Sequence, residues 1–551
     1  MLRKKQRELI QRILNLNEAV SNNPKDAMKW KVLIFDDRGL YILTTLMKVA
    51  RLLEVGVTFF SHIDKKRDPI PDADVIYFLE PTEENIHKIA KDCSISLYES
   101  INISFISPCP SDLLEQFAVL ISNQNCSKFI KTIFDQYVNF SSPEPHLFTL
   151  FEKDTTIHDI FGFKTNDDLV NTCINSIANG LVSVFLTSGE IPRVLFQNNN
   201  EAAHLVVTIL SEKIRPLSQN FELWESRRSQ TNNYRPPLLI ILDRTMDFAG
   251  PLHHPSTYAA LIEDNLGINK NEVKVDGKLY DLDNDIDKFW IDNKFEVFDT
   301  VASTIGKEVN SFITKYGSIE ENLSTAINNF PELSHQRLSL LTHTKIADSL
   351  LKCIKSRNLD SLFKFEEDIF LQNGVDLPKL IDFVKTIPND NDKLRLVSIA
   401  YLYNIIPNNE IQTIEDIIDQ SLEFLPNYFE NFKIAKSNNK GNIQKLLKHV
   451  SGFGSKSNLN EMYQQLPIVE TTRRILEENI DGFNLMNIQT GKIEQPTEIG
   501  NVYVFVIGPG SYVEMNGLMD IAQKNNIELT YGCTAMIQPN EFMKLMQKIG
   551  Y

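Results

Sequence analysis

The stretch Arg235–Leu266, RPPLLIILDRTMDFAGPLHHPSTYAALIEDNL, is where the sequence changes texture. Leu238–Leu242 is a short apolar run bounded by two prolines on one side and Asp243-Arg244 on the other, the pattern of a buried strand. Beyond Asp243, from about residue 251 to 480, apolar residues recur at helical spacing. Residues 338–354 are the clearest case, with Leu341, Ile346, Ala347, Leu350, Leu351 and Ile354 on one stripe. Strand texture returns only at Val502–Ile507 and Ile527–Thr530. The economical arrangement inserts a helical block into one α/β domain whose strands lie on both sides of it.

Upstream, strand and helix alternate. Lys31–Phe35, Val57–Phe60 and Val75–Leu79 read as strands, each followed by turn or helix signals, which implies a parallel sheet covered on both faces. Pro81-Thr-Glu-Glu opens a helix, with acids against its positive end. Ser111 suits the cap of a helix over 112–122. Leu181–Leu186 reads as a strand, 200–226 as a helix and Arg227–Asn233 as a polar loop, as do the Asn-rich stretches near 389–392 and 436–442.

The chain has 551 residues, enough for about three to five domains. Its 42% apolar and 23% charged residues are those of a globular protein. Its purely apolar runs, such as Leu181–Leu186 and Val502–Ile507, fall far short of the ~18 residues that cross a bilayer. The net charge of −16 argues against nucleic acid as main ligand and against direct adsorption to anionic lipid. Work at a membrane would then depend on another protein for recruitment. The six cysteines form no CxxC and pair with no His at zinc spacing, which fits reduced thiols in the cytosol and no metal. The first residues lack a signal-peptide core, and the stripe Leu9, Ile10, Ile13, Leu14 reads as a docked helix.

No catalytic constellation emerges. Gly508-Pro-Gly510 follows a strand, but Val513 stands where a third glycine belongs and Pro509 lacks an N–H, so a tight strand-to-helix turn accounts for it. Gly452–Ser457 lacks the earlier glycine of a P-loop. His253 and His254, being adjacent, should face different ways and make no two-ligand clamp. Asp243 reads either as a catalytic carboxylate or as half of an ion pair with Arg244, with Asp247 nearby, pinning a turn; the second reading is favoured because a buried charge needs a partner. No cofactor is expected.

Seven strings in order resemble the Sec/Munc (SM) family of SNARE-binding proteins: KWKVLIFDDRG (Lys29–Gly39), HIDKKRDPIPDADVIYFLEPTEENI (His62–Ile86), the Arg235–Leu266 stretch, DIDKFWIDNKFEVFDTVA (Asp285–Ala302), DKLRL (Asp392–Leu396), and the closing pair VFVIGPGSYVEMNGL (Val504–Leu518) and YGCTAMIQPNEF (Tyr531–Phe542). RDPIPD, PTEEN and LHHPSTY are similar to the Sly branch, which serves traffic between endoplasmic reticulum (ER) and Golgi. Lys315–Ser324 leaves little room for that branch's long loop in the helical domain.

The resemblance implies an α/β fold with a large helical insertion, as a three-domain arch: 1–137 as a first α/β domain, 138–245 with 481–551 as a second parallel-sheet domain, and 246–480 as the helical domain. It implies no covalent catalysis, a cytoplasmic chain recruited to ER and Golgi membranes through SNAREs, and binding to an ER–Golgi syntaxin (Qa-SNARE) and to the assembled SNARE bundle, with a vesicle R-SNARE and tethering factors as further partners. By position, a pocket for the syntaxin N-terminal peptide falls at Leu114, Phe117 and Ala118, with Ile130 and Phe134 on the next helix. A hairpin that templates the vesicle SNARE falls at Ala326–Leu351, with Pro331, Leu341, Ile346 and Leu350; Pro331 either bends a helix or starts one. The alternatives are an SM protein of the endosomal or vacuolar branch, and a nucleotide- or phosphate-dependent α/β enzyme using Asp243 or the 508–510 turn.

Overall fold

The computed structural model describes residues 2–17, 29–150, 160, 162, 166–219, 235–316, 331–434, 462–493 and 500–550. Residues 31–135 build an all-parallel sheet from β1 (Lys31–Phe35), β2 (Val57–His62), β3 (Ile70–Leu79), β4 (Tyr98–Phe105) and β5 (Ile130–Asp135), in the order β2-β1-β3-β4-β5. Asp36 ties its centre together. Its carboxylate caps the Asp37–Leu46 helix at the Gly39 amide (2.8 Å) and also accepts from the Glu80 amide beyond β3 (2.8 Å). Gly39 is needed there: a Cβ would lie 2.4 Å from the Phe78 carbonyl oxygen.

A second sheet begins with β6 (Ser141–Glu144), β7 (Leu147–Thr149), β8 (Arg193–Gln197) and β9 (Leu238–Asp243). The chain then enters the helical block, which also holds a small hairpin of β10 (Glu272–Val275) and β11 (Lys278–Asp281). It returns to the sheet with β12 (Phe483–Asn487), β13 (Lys492–Ile493), β14 (Val502–Ile507) and β15 (Leu529–Cys533). The order is β13-β12-β8-β9-β14-β15-β7-β6. β9 and β14 lie side by side and parallel, Leu238 opposite Val502 through Asp243 opposite Ile507. The helical block is therefore an insertion between neighbouring strands. The expectation of a wholly parallel second sheet is corrected: the centre is parallel, but β12 and β13 on one edge and β6 on the other pair antiparallel.

Leu181–Leu186 is not a strand. It lies in the Asp167–Ser188 helix, which starts at an Asn166 cap and ends on left-handed Gly189. By length and composition this helix is apolar enough to cross a membrane, but half of it is buried, with Ile174, Ile177, Leu181 and Phe185 packed with Val194, Phe196, Ile241 and Tyr503 of the sheet. The helix expected over 200–226 runs over Glu201–Leu217, and the loop at 227–233 lies outside the described residues. So do the stretches 436–442 and 452–457. Asn389 is no loop residue but the cap of the Asp390–Leu402 helix. The 508–510 segment is a turn joining β14 to the Tyr512–Lys524 helix.

Candidate functional site

The Ser111–Asn123 helix follows Pro108 and Pro110 and covers one face of the first sheet. Ser111 is its first residue and makes no capping bond. Leu114, Phe117 and Ala118 sit one turn apart, yet their environments differ. Phe117 is only 2% exposed and belongs to the core with Ile103, Phe105 and Ile121, whereas Leu114 is 40% exposed and Ala118 is also open to solvent. Phe117 thus floors the site from within and presents no surface of its own.

Ile130 and Phe134 are not on a helix. They lie on β5, the edge strand of the sheet. Pairing with β4 sets Ile130 opposite Ile101, skips Lys131, then continues with Thr132 opposite Asn102, Ile133 opposite Ile103, Phe134 opposite Ser104 and Asp135 opposite Phe105. The skipped residue is a bulge, and a one-residue slip reverses the face of everything after it. Ile101, Ile103 and Phe105 belong to the helix-covered core. Ile130, Ile133 and Asp135 therefore face the helices, and Phe134 faces the other way with Thr132, whose hydroxyl donates to Asn102 Oδ1 (2.9 Å). The Cys109 amide, just before the helix, donates to Asp135 Oδ1 (3.1 Å), which agrees. The residue missed by sequence reasoning is Ile133, 38% exposed. Leu114 and Ala118 on the helix and Ile133 on β5 are the exposed apolar residues of the candidate site over the core that holds Phe117 and Ile130, and Asp112 and Glu115 of the same helix are exposed as well.

In the helical block, Pro331 is the first described residue of the Pro331–Arg357 helix. Residues 317–330, which include Ala326–Phe330 of the expected hairpin and most of Lys315–Ser324, lie outside the described residues. Ile346 and Leu350 are core residues; Leu341 and, unforeseen, Leu338 face solvent.

The expected Asp243–Arg244 pair is not made. Arg244, fully buried, reaches instead to Glu514 of the Tyr512–Lys524 helix, with Nη1 3.1 Å from Oε2 and Nη2 against Oε1, and donates to the Pro509 carbonyl (2.9 Å). Burial alone would lower the Arg244 pKa, but Glu514 raises it further. Asp243 caps the following turn through the Thr245 amide (2.8 Å) and accepts from Asn200 Nδ2. Asp247 accepts from the Ala249 and Gly250 amides (2.9 and 2.8 Å), and burial pushes it up to about 6. All three acids and bases therefore have structural work at strand ends. His253 and His254 do not diverge as adjacency suggested: each Nδ1 reaches the Glu366 carboxylate, at 2.7 and 2.6 Å.

A profile of the Sec1 family matches residues 31–545. "Protein sly1 homolog" of Drosophila melanogaster is 28% identical, with 100% of this chain and 98% of that protein covered. "Protein sly1" of Schizosaccharomyces pombe is 29% identical at the same coverage. The Drosophila alignment runs over 637 residues, more than the 551 here, so that relative carries insertions this chain lacks. Among solved structures, Sly1p in complex with an N-terminal peptide of Sed5p superposes with a TM-score of 0.81 at 26% identity, covering 100% of this chain and 98% of that one. The SM protein Vps45 in complex with the Qa SNARE Tlg2 (1-310) gives 0.80 at 20% identity, covering 100% and 98%, a likeness of fold.

Proposed function

Because the chain belongs to the Sec1 family, we propose that it is a Sly-type regulator of vesicle fusion that binds the N-terminal segment of an ER–Golgi syntaxin and promotes assembly of the SNARE bundle. Family members are regulators of SNAREs; that this chain performs no covalent chemistry, and that it is cytoplasmic and recruited to ER and Golgi membranes by its SNARE partners, are parts of the same reading. So is a division into units at 1–137, 138–245 with 481–551, and 246–480, to which the two separate sheets and the helical block between β9 and β14 lend support. The Sly-type relatives matched end to end favour this compartment over the endosomal branch.

The observation that carries peptide binding is the exposed trio Leu114, Ala118 and Ile133 beside an edge strand. Covering one apolar side chain yields about 1.5–3 kcal/mol, whereas micromolar affinity needs about 8, so polar contacts must add to it. A vesicle R-SNARE helix would meet the Pro331–Arg357 helix through Leu338 and Leu341.

The test is a titration of labelled ER–Golgi syntaxin N-terminal peptide against the chain, beside endosomal and plasma-membrane syntaxin peptides. Saturable binding of the first alone supports the reading; binding of another moves the compartment; binding of none removes the pocket. Leu114→Asp combined with Ile133→Asp should weaken binding about a hundredfold, since two apolar contacts are lost at about 1.4 kcal/mol per decade. Circular dichroism should stay unchanged, because both side chains are more than a third exposed and lie outside the core. Phe117→Asp should instead unfold the first sheet's unit, because it buries a charge in the core.

A further inference from the structure

The two histidines at the entry to the helical block sit among more charge than any motif accounts for. His254 is 1% exposed and both of its ring nitrogens face carboxylate oxygens, Nδ1 at 2.6 Å from Glu366 Oε1 and Nε2 at 3.2 Å from Asp392 Oδ1. An ionised carboxylate only accepts, so a ring that satisfies both must donate from both nitrogens, and only the imidazolium does so. Its own amide also donates to Glu366 Oε2 (2.8 Å), the oxygen that His253 Nδ1 reaches.

Among the described residues, the charged groups around the ring hold one another. Asp392 accepts from Arg357 at both oxygens, 2.6 and 3.0 Å. Arg395, fully buried, donates to the Leu252 and His253 carbonyls (2.9 Å each) and to Asp264 Oδ1 (2.8 Å), and stands 3.9 Å from Asp392. Arg357 also lies 3.7 Å from Asp264. The other face of the pair is aromatic, with Phe363, Phe370 and Tyr463 around His253. The cations Arg357, Arg395 and His254 balance the anions Glu366, Asp392 and Asp264 only while His254 carries its proton.

We propose that His254, Glu366 and Asp392 form a proton-dependent clasp in the helical block. It binds the segment leaving β9 to the Leu359–Phe370 and Asp390–Leu402 helices and, through Asp392 and Arg357, holds the end of the Pro331–Arg357 helix. Loss of one proton leaves one ring nitrogen of His254 with its lone pair against a carboxylate oxygen, and the site one positive charge short, where water does not enter.

Burial and Arg395 both push the His254 pKa down, but Glu366 and Asp392 outweigh them and hold it above the usual value of 6.5. A histidine raised on folding stabilises the fold fully below 6.5 and loses that contribution as pH climbs through the folded value. His253 is shifted the other way, chiefly by burial, so it stays neutral and its contribution falls away below 6.5. The neighbours bound a pH window from opposite sides.

The inference concerns folding of the helical block and stands whether or not a syntaxin peptide binds. The first test is amide hydrogen exchange on the full wild-type chain at pH 6.5 and 9.0, corrected for the intrinsic pH dependence of exchange. Protection in 253–265, 359–370 and 390–402 should fall at least tenfold more than protection in β1–β5. An equal change in both regions overturns the clasp. The second is the urea midpoint of wild type and His254→Gln between pH 6 and 9. The wild-type midpoint should fall towards that of the variant with rising pH, the two converging at the alkaline end. A gap that does not narrow overturns it, and the exchange measurement decides alone where the variant does not fold.

Discussion

Glu514→Ala should cost about 3–5 kcal/mol of stability, read as a shift of the urea unfolding midpoint at neutral pH. Arg244 is fully buried and Glu514 carries the only ionised group it pairs with directly among the described residues. Without it, the guanidinium keeps the Pro509 carbonyl but loses its countercharge in a site water cannot enter. The Tyr531 hydroxyl, which donates to Glu514 Oε2 at 2.6 Å, loses its acceptor as well. Glu514→Gln keeps an acceptor for both and should lose less, although the charge still goes unpaired. The pair joins the end of β9 to the helix after β14, residues brought together only because the sheet closes behind the helical insertion. A Glu514→Ala chain as stable as wild type would mean that Arg244 finds another anion or swings out to solvent.

Glu144→Leu should have an effect of similar size, about 3–5 kcal/mol, at a different joint. Lys294, nearly buried in the helical block, is salt-bridged to Glu144 on β6 and donates to Asn284 Oδ1 at 2.9 Å. Next to it, the Pro143 carbonyl accepts from Arg3 Nη1 (3.2 Å), Asn271 Nδ2 (3.1 Å) and Asn284 Nδ2 (3.1 Å). The Leu2–Leu14 helix, the second sheet and the helical block thus meet at Pro143 and Glu144. Adding Lys294→Met to Glu144→Leu should recover most of the loss, because a buried pair replaced by apolar groups is often neutral, whereas a broken pair is not. If the double variant is no better than the single one, the pair contributes through its hydrogen bonds to the joint and not only by avoiding an unpaired charge.

The parts legible in the sequence were those where one period dominates. β9 and β14 are unbroken apolar runs, and the helical block between them is long and periodic, so the insertion was readable without any contact information. The failures have physical causes. Leu181–Leu186 is apolar because its helix is buried on several sides, and a short apolar run does not distinguish a buried helix from a buried strand. β8, RVLFQ, hides its apolar centre between polar ends. In FIKTIF (Phe129–Phe134) the apolar positions fall at helical spacing because a bulge, and not a helix, breaks the alternation. That one bulge also sets the facing of two candidate residues, turning Phe134 away from the face covered by the Ser111–Asn123 helix and Ile133 towards it. Phe117 and Leu114 look alike in a helical pattern; only packing separates floor from surface. The Arg244 and His254 partners lie more than a hundred residues away in sequence, where no local signal reaches.

The adjacency of β9 and β14 also sets an order of events. On a ribosome the first sheet's strands are complete by Asp135, long before the second sheet can close. β9 is synthesised about 260 residues before its later neighbour, at roughly 5–20 residues per second some 13–50 s earlier. Through that interval the Leu238–Asp243 strand, apolar from Leu238 to Leu242, has an open edge of backbone groups on the side β14 later fills, the kind of surface that nascent-chain chaperones cover. The insertion that defines the architecture is also the period in which the growing chain is most exposed to misassembly.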